Sequence, residues 1–345
     1  MRRIFKYILA MLAANLLLPG IIVNLFSRAE GPEFSTSPGY YETVGSTRTP
    51  GVSGASGVSG APGVSGASPS KEPMKSGTKD EVKILMTSLG TTQTLPLEEY
   101  VKGVVASEMP VKFGLEALKA QAVAARTYAQ YCRAQGLDLC DSALCCQAYR
   151  PFDQNIQGAE WVEEAVESTK GEILIYGGQP ILAVFHSNSS GWTENVEDVW
   201  GGPSLPYLRS VRSFGEDENP EYRRITEMDA DDFYRKLLPG GTIAAAVAYG
   251  KETTRILGWT DGGRVDTLVV NGVKLKGTQV REMLGLKSAC FEVEWLDGNS
   301  RVRITTAGSG HGVGMSQWGA RYLAENGKNY REILQYYYTG VTFSE

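Results

Sequence analysis

Glu108, in Val104-Val-Ala-Ser-Glu-Met-Pro110, ends an otherwise apolar helical turn. The negative end of a helix dipole and partial desolvation both disfavour a carboxylate there, so both hold a proton on. A carboxyl protonated near neutral pH is what a glycosidase uses to protonate a leaving glycosidic oxygen. A solvated surface glutamate is the plain alternative. Further along, Gln121 and Arg126 interrupt an Ala-rich helix face. Arg126 is placed to return toward Glu108 across a helical hairpin, to bind substrate or restrain the carboxylate, or else to serve as a buried ion-pair partner.

The chain has two histidines. His311 lies in Ala307-Gly-Ser-Gly-His-Gly-Val-Gly-Met-Ser-Gln-Trp-Gly-Ala320, where the four glycines from Gly308 to Gly314 let backbone approach a ligand and Ser316 is placed to cap a helix carrying Gln317. No Gly-Lys-Ser/Thr follows, so a phosphate loop is not indicated. His186 opens His186-Ser-Asn-Ser-Ser-Gly-Trp-Thr193 at the end of an apolar run. The short polar side chains Asn188, Ser189, Ser190 and Thr193 beside an aromatic have the composition of a sugar site, or of a polar turn.

Five cysteines stand at 132, 140, 145, 146 and 290. The odd number leaves at least one unpaired within the chain, and the clustering reads as a structural zinc site with a disulfide as the competing use. Adjacent Cys145 and Cys146 do not easily share one ion, so Cys132, Cys140 and Cys146 form the preferred set, with Cys145 as the alternative.

These residues need a scaffold. Val82–Met86 reads as a strand with a turn near Gly90, Leu97–Met109 as a helix opened by Pro96 and ended by Pro110, and 115–134 as a long Ala-rich helix. Strand-like runs follow at 173–176, 181–185, 267–270, 291–295 and 302–305. Helices are expected over 317–325 and, behind an Asn329/Glu332 capping box, on to Tyr338. The fold class is α+β, a helical hairpin packed on mixed β-structure, with an inserted lobe over about 213–307.

Before this region, Arg2, Arg3 and Lys6 precede an apolar run to Phe26. That pattern suits a membrane anchor over 1–28 with a cytoplasmic N-terminus, a cleaved signal peptide being the alternative. Residues 29–79 are rich in Gly, Ser and Pro and contain three tandem hexapeptides, a tether whose root-mean-square reach is roughly 40 Å. Folded sequence runs from 80 to 345. The formal charge of −5, from 34 basic and 39 acidic residues dispersed along the chain, excludes a nucleic-acid binder.

Four motifs occur in order: Val-Val-Ala-Ser-Glu-Met-Pro with Ala-Leu-Lys-Ala-Gln-Ala-Val-Ala-Ala-Arg-Thr-Tyr; Cys-x5-Cys-Gln-x-Tyr; the Ser-rich Gly-x-Thr segment; and Gly-His-Gly-Val-Gly-Met-Ser-Gln-x-Gly-Ala. Together they resemble the stage II sporulation protein D family. The resemblance implies a membrane-anchored, extracytoplasmic lytic transglycosylase. Such an enzyme cleaves the bond from N-acetylmuramic acid to N-acetylglucosamine in denuded peptidoglycan strands during engulfment. It acts beside the amidase stage II sporulation protein P and the membrane protein stage II sporulation protein M. Glu108 is then the catalytic residue, and Arg126, residues 188–190 and the His311 loop line the cleft. Family members often bind zinc through one His and two Cys, and no His lies near Cys140 and Cys146 here. The different-class alternative is a glycan-binding module that recruits or activates an amidase.

Overall fold

The computed structural model describes residues 81–143, 145–238 and 250–344. It is a mixed α+β structure, as the sequence pattern predicts. The anchor and tether expected over 1–79 lie outside the described residues. Among the described residues no helix is long and apolar enough to cross a membrane.

Strand β1 (Glu81–Met86) turns Val82, Ile84 and Met86 inward and pairs antiparallel with β2 (Thr91–Pro96). Helix α1 (Leu97–Glu108) follows at once, with Glu98 and Glu99 in its first turn and Tyr100, Val101, Val104 and Val105 on its buried face. A short 3-10 turn, Val111–Phe113, reverses the chain into α2 (Leu115–Ala134). Six alanines of α2 are fully buried, because α1, α3 (Ala159–Glu167) and two C-terminal helices all pack on it. A helix enclosed on so many sides needs small residues for close approach. Strand β3 (Leu139–Cys140) adds in parallel beside β1, giving the order β2-β1-β3.

Strands β4 (Leu174–Tyr176) and β5 (Gln179–Pro180) form a hairpin. The apolar run expected as a strand over 181–185 enters a ladder only at its end, in β6 (Phe185–His186), since its remaining residues have no strand alongside. Helix α4 (Val196–Trp200) comes next.

A second hydrophobic core gathers around Phe233, Tyr234, Leu268, Val280, Phe291 and Ile304. Its elements in chain order are β7 (Arg223–Asp229), α5 (Ala230–Leu237), β8 (Thr254–Trp259), β9 (Val265–Val270), β10 (Val273–Lys276), α6 (Gly277–Leu284), β11 (Phe291–Leu296) and β12 (Arg301–Ala307). They make two antiparallel sheets ordered β10-β9-β8 and β11-β12-β7. Asn271 and Gly272, both with positive φ, supply the tight β9–β10 turn that a two-residue hairpin requires. Burying an aliphatic side chain as fully as Leu268 or Ile304 contributes about 1.5–3 kcal/mol.

The chain then returns to the first core. Strand β13 (Met315–Ser316) runs parallel to β6, α7 (Gln317–Glu325) and α8 (Tyr330–Tyr337) pack on α2, and β14 (Thr342–Phe343) completes the sheet β14-β4-β5. The Asn329/Glu332 capping box is formed as its sequence spacing predicts.

Candidate active site

Glu108 is half-buried at the C-terminal end of α1, and Oε1 accepts a 2.6 Å hydrogen bond from the amide of Ala148. The loop after β3 makes that bond possible. Gln147 is buried and donates to the Tyr100 hydroxyl and the Ala125 carbonyl, while the Tyr149 ring stacks on Tyr100 at 5.3 Å. The two side chains flanking Ala148 are thus anchored on α1 and α2, and the backbone between them is held against Glu108. Gly103, one turn and a residue before Glu108, is where this loop crosses α1. A β-carbon there would collide with the Arg150 carbonyl and the Tyr149 ring.

Gln317, the first residue of α7, also hydrogen-bonds Glu108, and its Nε2 donates to Gln121 Oε1 at 3.3 Å. Burial raises the Glu108 pKa above the usual carboxylate range, and the bonds from Ala148 and Gln317 offset only part of that rise. Gln317 thus links Glu108 to Gln121.

Arg126 does not join them. It is fully buried and donates to both carboxylate oxygens of Glu98, at 2.9 and 2.6 Å, and to the carbonyls of Glu172 and Val166. Glu98 begins α1 and Glu108 ends it, about 15 Å away at 1.5 Å per residue. Of the two roles its sequence position allows, the ion-pair role is the one the structure shows.

The polar stretch after β6 is likewise used internally. Asn188 exchanges backbone bonds with Ser309 and donates its side-chain amide to Glu216, whose Oε2 also accepts from the Ser189 amide. Ser190 is buried too, and Thr193 Oγ1 accepts from the Val211 amide and donates to the Arg209 carbonyl. These groups brace the His311 loop rather than offer a sugar an open face. His186 is buried between the Val313 carbonyl and Ser189 Oγ, and Ser316 caps α7 by accepting from the Gly319 amide.

His311 accepts the Val313 amide on Nδ1, and its ring lies 5.7 Å from that of His186. Burial, with Arg264 and Arg281 nearby, depresses its pKa to about 3, and burial with His311 and Arg264 depresses His186 well below the histidine range. Both rings are neutral, so neither supplies a proton for acid catalysis near pH 7.

Two residues outside the sequence-predicted set, Glu216 and Trp200, stand here, together with Glu194, which the sequence offers with Asp198 as the second acid a hydrolase would need. Glu216 and Glu194 are buried carboxyls, each raised to about 7 by burial that outweighs their hydrogen bonds and the attraction of Arg264. Trp200 is 52 % exposed, with its ring 4.9 Å from His311. An exposed indole ring offers a sugar a flat apolar face, and only the fold shows that it is exposed.

The sulfurs of Cys140, Cys145 and Cys146 lie within 4.8 Å of one another. Cys132 is outside that group, its thiol beside Tyr128 in the helical core. The clustered sulfurs thus include Cys145 and leave Cys132 apart, because the loop turns Cys145 and Cys146 toward β3. Cys140 and Cys145 are joined as a disulfide, and Cys146 Sγ accepts the Cys140 amide.

A family model described as stage II sporulation protein matches residues 86–176, the stretch holding Glu108, Arg126 and the cysteine loop. Stage II sporulation protein D of Bacillus amyloliquefaciens is 38 % identical, covering 96 % of this chain and 92 % of the relative. The protein of the same name from Bacillus subtilis (strain 168) is 40 % identical over 81 % of this chain and 83 % of its own length. An amidase enhancer of Bacillus subtilis is 29 % identical over 71 % of this chain and 40 % of its own. With the family match and 38 % identity over nearly the whole of both chains in agreement, this chain belongs to the stage II sporulation protein D family.

Proposed function

We propose that this protein is a lytic transglycosylase of sporulation that cleaves denuded peptidoglycan strands, with Glu108 as its acid and base. The observation that carries this reading is one half-buried carboxyl held by uncharged donors, the Ala148 amide and Gln317, with its pKa raised by burial. In that state Glu108 gives its proton to the oxygen linking N-acetylmuramic acid to N-acetylglucosamine. The resulting carboxylate, stabilised by the same two donors, takes the proton of the muramic 6-hydroxyl as that oxygen closes on C1. The 1,6-anhydro product needs no water and no second carboxylate. The acids a hydrolase would call on are engaged elsewhere: Glu194 is fully buried beside Arg264 and Thr260, and Asp198 accepts from Asn195.

The resemblance implies zinc. The sulfurs of Cys140, Cys145 and Cys146 lie within 4.8 Å of one another, but Cys140 and Cys145 are joined as a disulfide and adjacent Cys145 and Cys146 do not easily share one tetrahedral ion, so this set does not fit zinc as it stands. The basic and apolar start of the chain supports a membrane-anchored, extracytoplasmic placement, and an amidase partner, such as stage II sporulation protein P with stage II sporulation protein M, would supply denuded strands.

The name of the amidase enhancer favours a second reading, a glycan-binding activator of an amidase. Mass spectrometry of denuded strands incubated with the native protein and with Glu108→Gln separates the two. Anhydro ends from the native protein alone support the transglycosylase. Reducing ends make it a hydrolase, and intact strands with binding retained make it a binding module.

A further inference from the structure

A recess lies beside the His311 loop, lined by Arg264, Arg281, Glu194, Asp198 and His311. Arg264 is 2 % exposed, yet only its Nη1 is satisfied, by the Gly310 carbonyl at 2.8 Å. Its Nε and Nη2 are buried without a hydrogen bond, and the nearest carboxylate oxygen, Glu194 Oε1, stands 3.6 Å from Nε. Buried guanidinium N–H groups are costly to leave unpaired, so an arrangement that keeps them points to an acceptor that arrives from outside. Arg281 has one hydrogen bond, from Nε to the Leu286 carbonyl at 3.4 Å, and no acidic partner among the described residues.

The unpaired donors of the recess favour an acceptor with two oxygens. Both histidines are held neutral by burial and by the cationic field there. Glu194 is raised to about 7, so near neutrality much of it is a neutral carboxyl able to donate. Asp198 accepts from the neutral amide of Asn195, and Asp266 pairs with Lys276. What remains unmatched are hydrogen-bond donors, Nε and Nη2 of Arg264, beside the Arg281 guanidinium, which has no acidic partner among the described residues. Planar guanidinium forks match a carboxylate in particular. Beside the same histidine stands the exposed ring of Trp200, a flat apolar face suited to a sugar ring.

We propose that this recess is a carboxylate subsite, with Arg264 and Arg281 receiving the lactyl carboxylate of a muramic acid residue whose ring lies on Trp200. The identity of the sugar rests on the transglycosylase reading. Removal of the stem peptide leaves each muramic residue with this free carboxylate, so the recess distinguishes a denuded strand from a peptide-bearing one. The His311 loop links it to the acid: Gly310 packs on His186, His186 pairs with Ser316, and Gln317 bonds Glu108.

The test measures binding by the full chain carrying Glu108→Gln to three insoluble probes: denuded strands, the same strands with lactyl carboxylates converted to methylamides, and strands with intact stem peptides. Denuded strands are expected to bind at least ten-fold more tightly than either other probe. Adding Arg281→Gln, at a half-exposed position, should bring that preference within two-fold while the melting temperature is kept. Equal affinity for denuded and methylamidated strands, no binding to any probe, or a preference that survives Arg281→Gln overturns the proposal. Tightest binding to peptide-bearing strands also overturns it, by assigning the arginines to a peptide carboxylate. Anhydro products are assayed in parallel with the native chain. Their absence sinks the transglycosylase reading and leaves the carboxylate preference to be judged on binding alone.

Discussion

The amide of Ala148 donates a 2.6 Å hydrogen bond to Oε1 of Glu108, joining the end of α1 to the middle of the cysteine loop. Together with Gln317 it stabilises the carboxylate left after proton donation, while burial keeps the proton on beforehand. Replacing Glu108 by Gln keeps the shape and removes the transferable proton. Turnover on denuded strands should fall by about 10²–10⁴-fold, the usual share of general acid catalysis, with strand binding retained. Product yield by mass spectrometry beside a strand pull-down reads both quantities.

Gln317 lowers the Glu108 pKa by hydrogen-bonding its charged form, whereas burial raises it. A general acid works below its pKa, so the rate should fall on the alkaline side. In Gln317→Leu the donor is lost, the pKa rises further, and the alkaline limb of the kcat/KM profile should move to higher pH. A limb that stays in place would remove Gln317 from the positioning of the acid.

Arg126 and Glu98 form a bidentate ion pair with the arginine fully buried. Truncating one partner leaves an uncompensated charge, so Arg126→Ala should cost about 3–5 kcal/mol of stability. Glu98→Gln with Arg126→Met should recover part of that loss. Urea unfolding of both variants measures it. A catalytic role for Arg126 would instead show as lost turnover at unchanged stability.

Gly103 admits the Arg150 carbonyl and Tyr149 ring against α1. Gly103→Ala should displace the cysteine loop, weaken the Ala148 bond to Glu108, and cost about 1–3 kcal/mol from overpacking. The expected result is a loss of turnover larger than the change in stability implies, seen by comparing kcat with the urea midpoint.

Glu194 and Glu216 are raised from 4.5 to about 7 by burial. A folded-state pKa above the unfolded value means the protonated form is the one the fold favours. The contribution is complete below about pH 4.5 and is lost as pH rises through about 7, on the order of 3 kcal/mol per group. The melting temperature should therefore decline between pH 5 and 8. Glu216→Gln, which keeps an acceptor for the Asn188 and Ser189 donors, should flatten that decline.

Local pattern sufficed for much of this molecule. The helices over 97–108 and 115–134, the Pro110 break, the Asn329/Glu332 box and Glu108 itself all follow from capping residues, apolar spacing and one carboxyl in an apolar turn. Such features depend on neighbours within a few residues, so they can be read in one dimension. Tertiary structure decided which polar groups are free. Arg126 sits as close in sequence to Gln121 as the hairpin requires, yet it faces Glu98, because its side chain lies toward the opposite end of α1. Asn188, Ser189 and Thr193 have the composition of a sugar site but bond to Glu216, Arg209 and Val211, partners brought in by the return of a distant chain. The sulfurs that cluster are those of Cys140, Cys145 and Cys146, with Cys132 apart, because a loop, not a helix, turns them together. Buried acids such as Glu194 and Glu216 resemble surface ones in the sequence, since desolvation is a property of the surroundings that only the folded chain supplies.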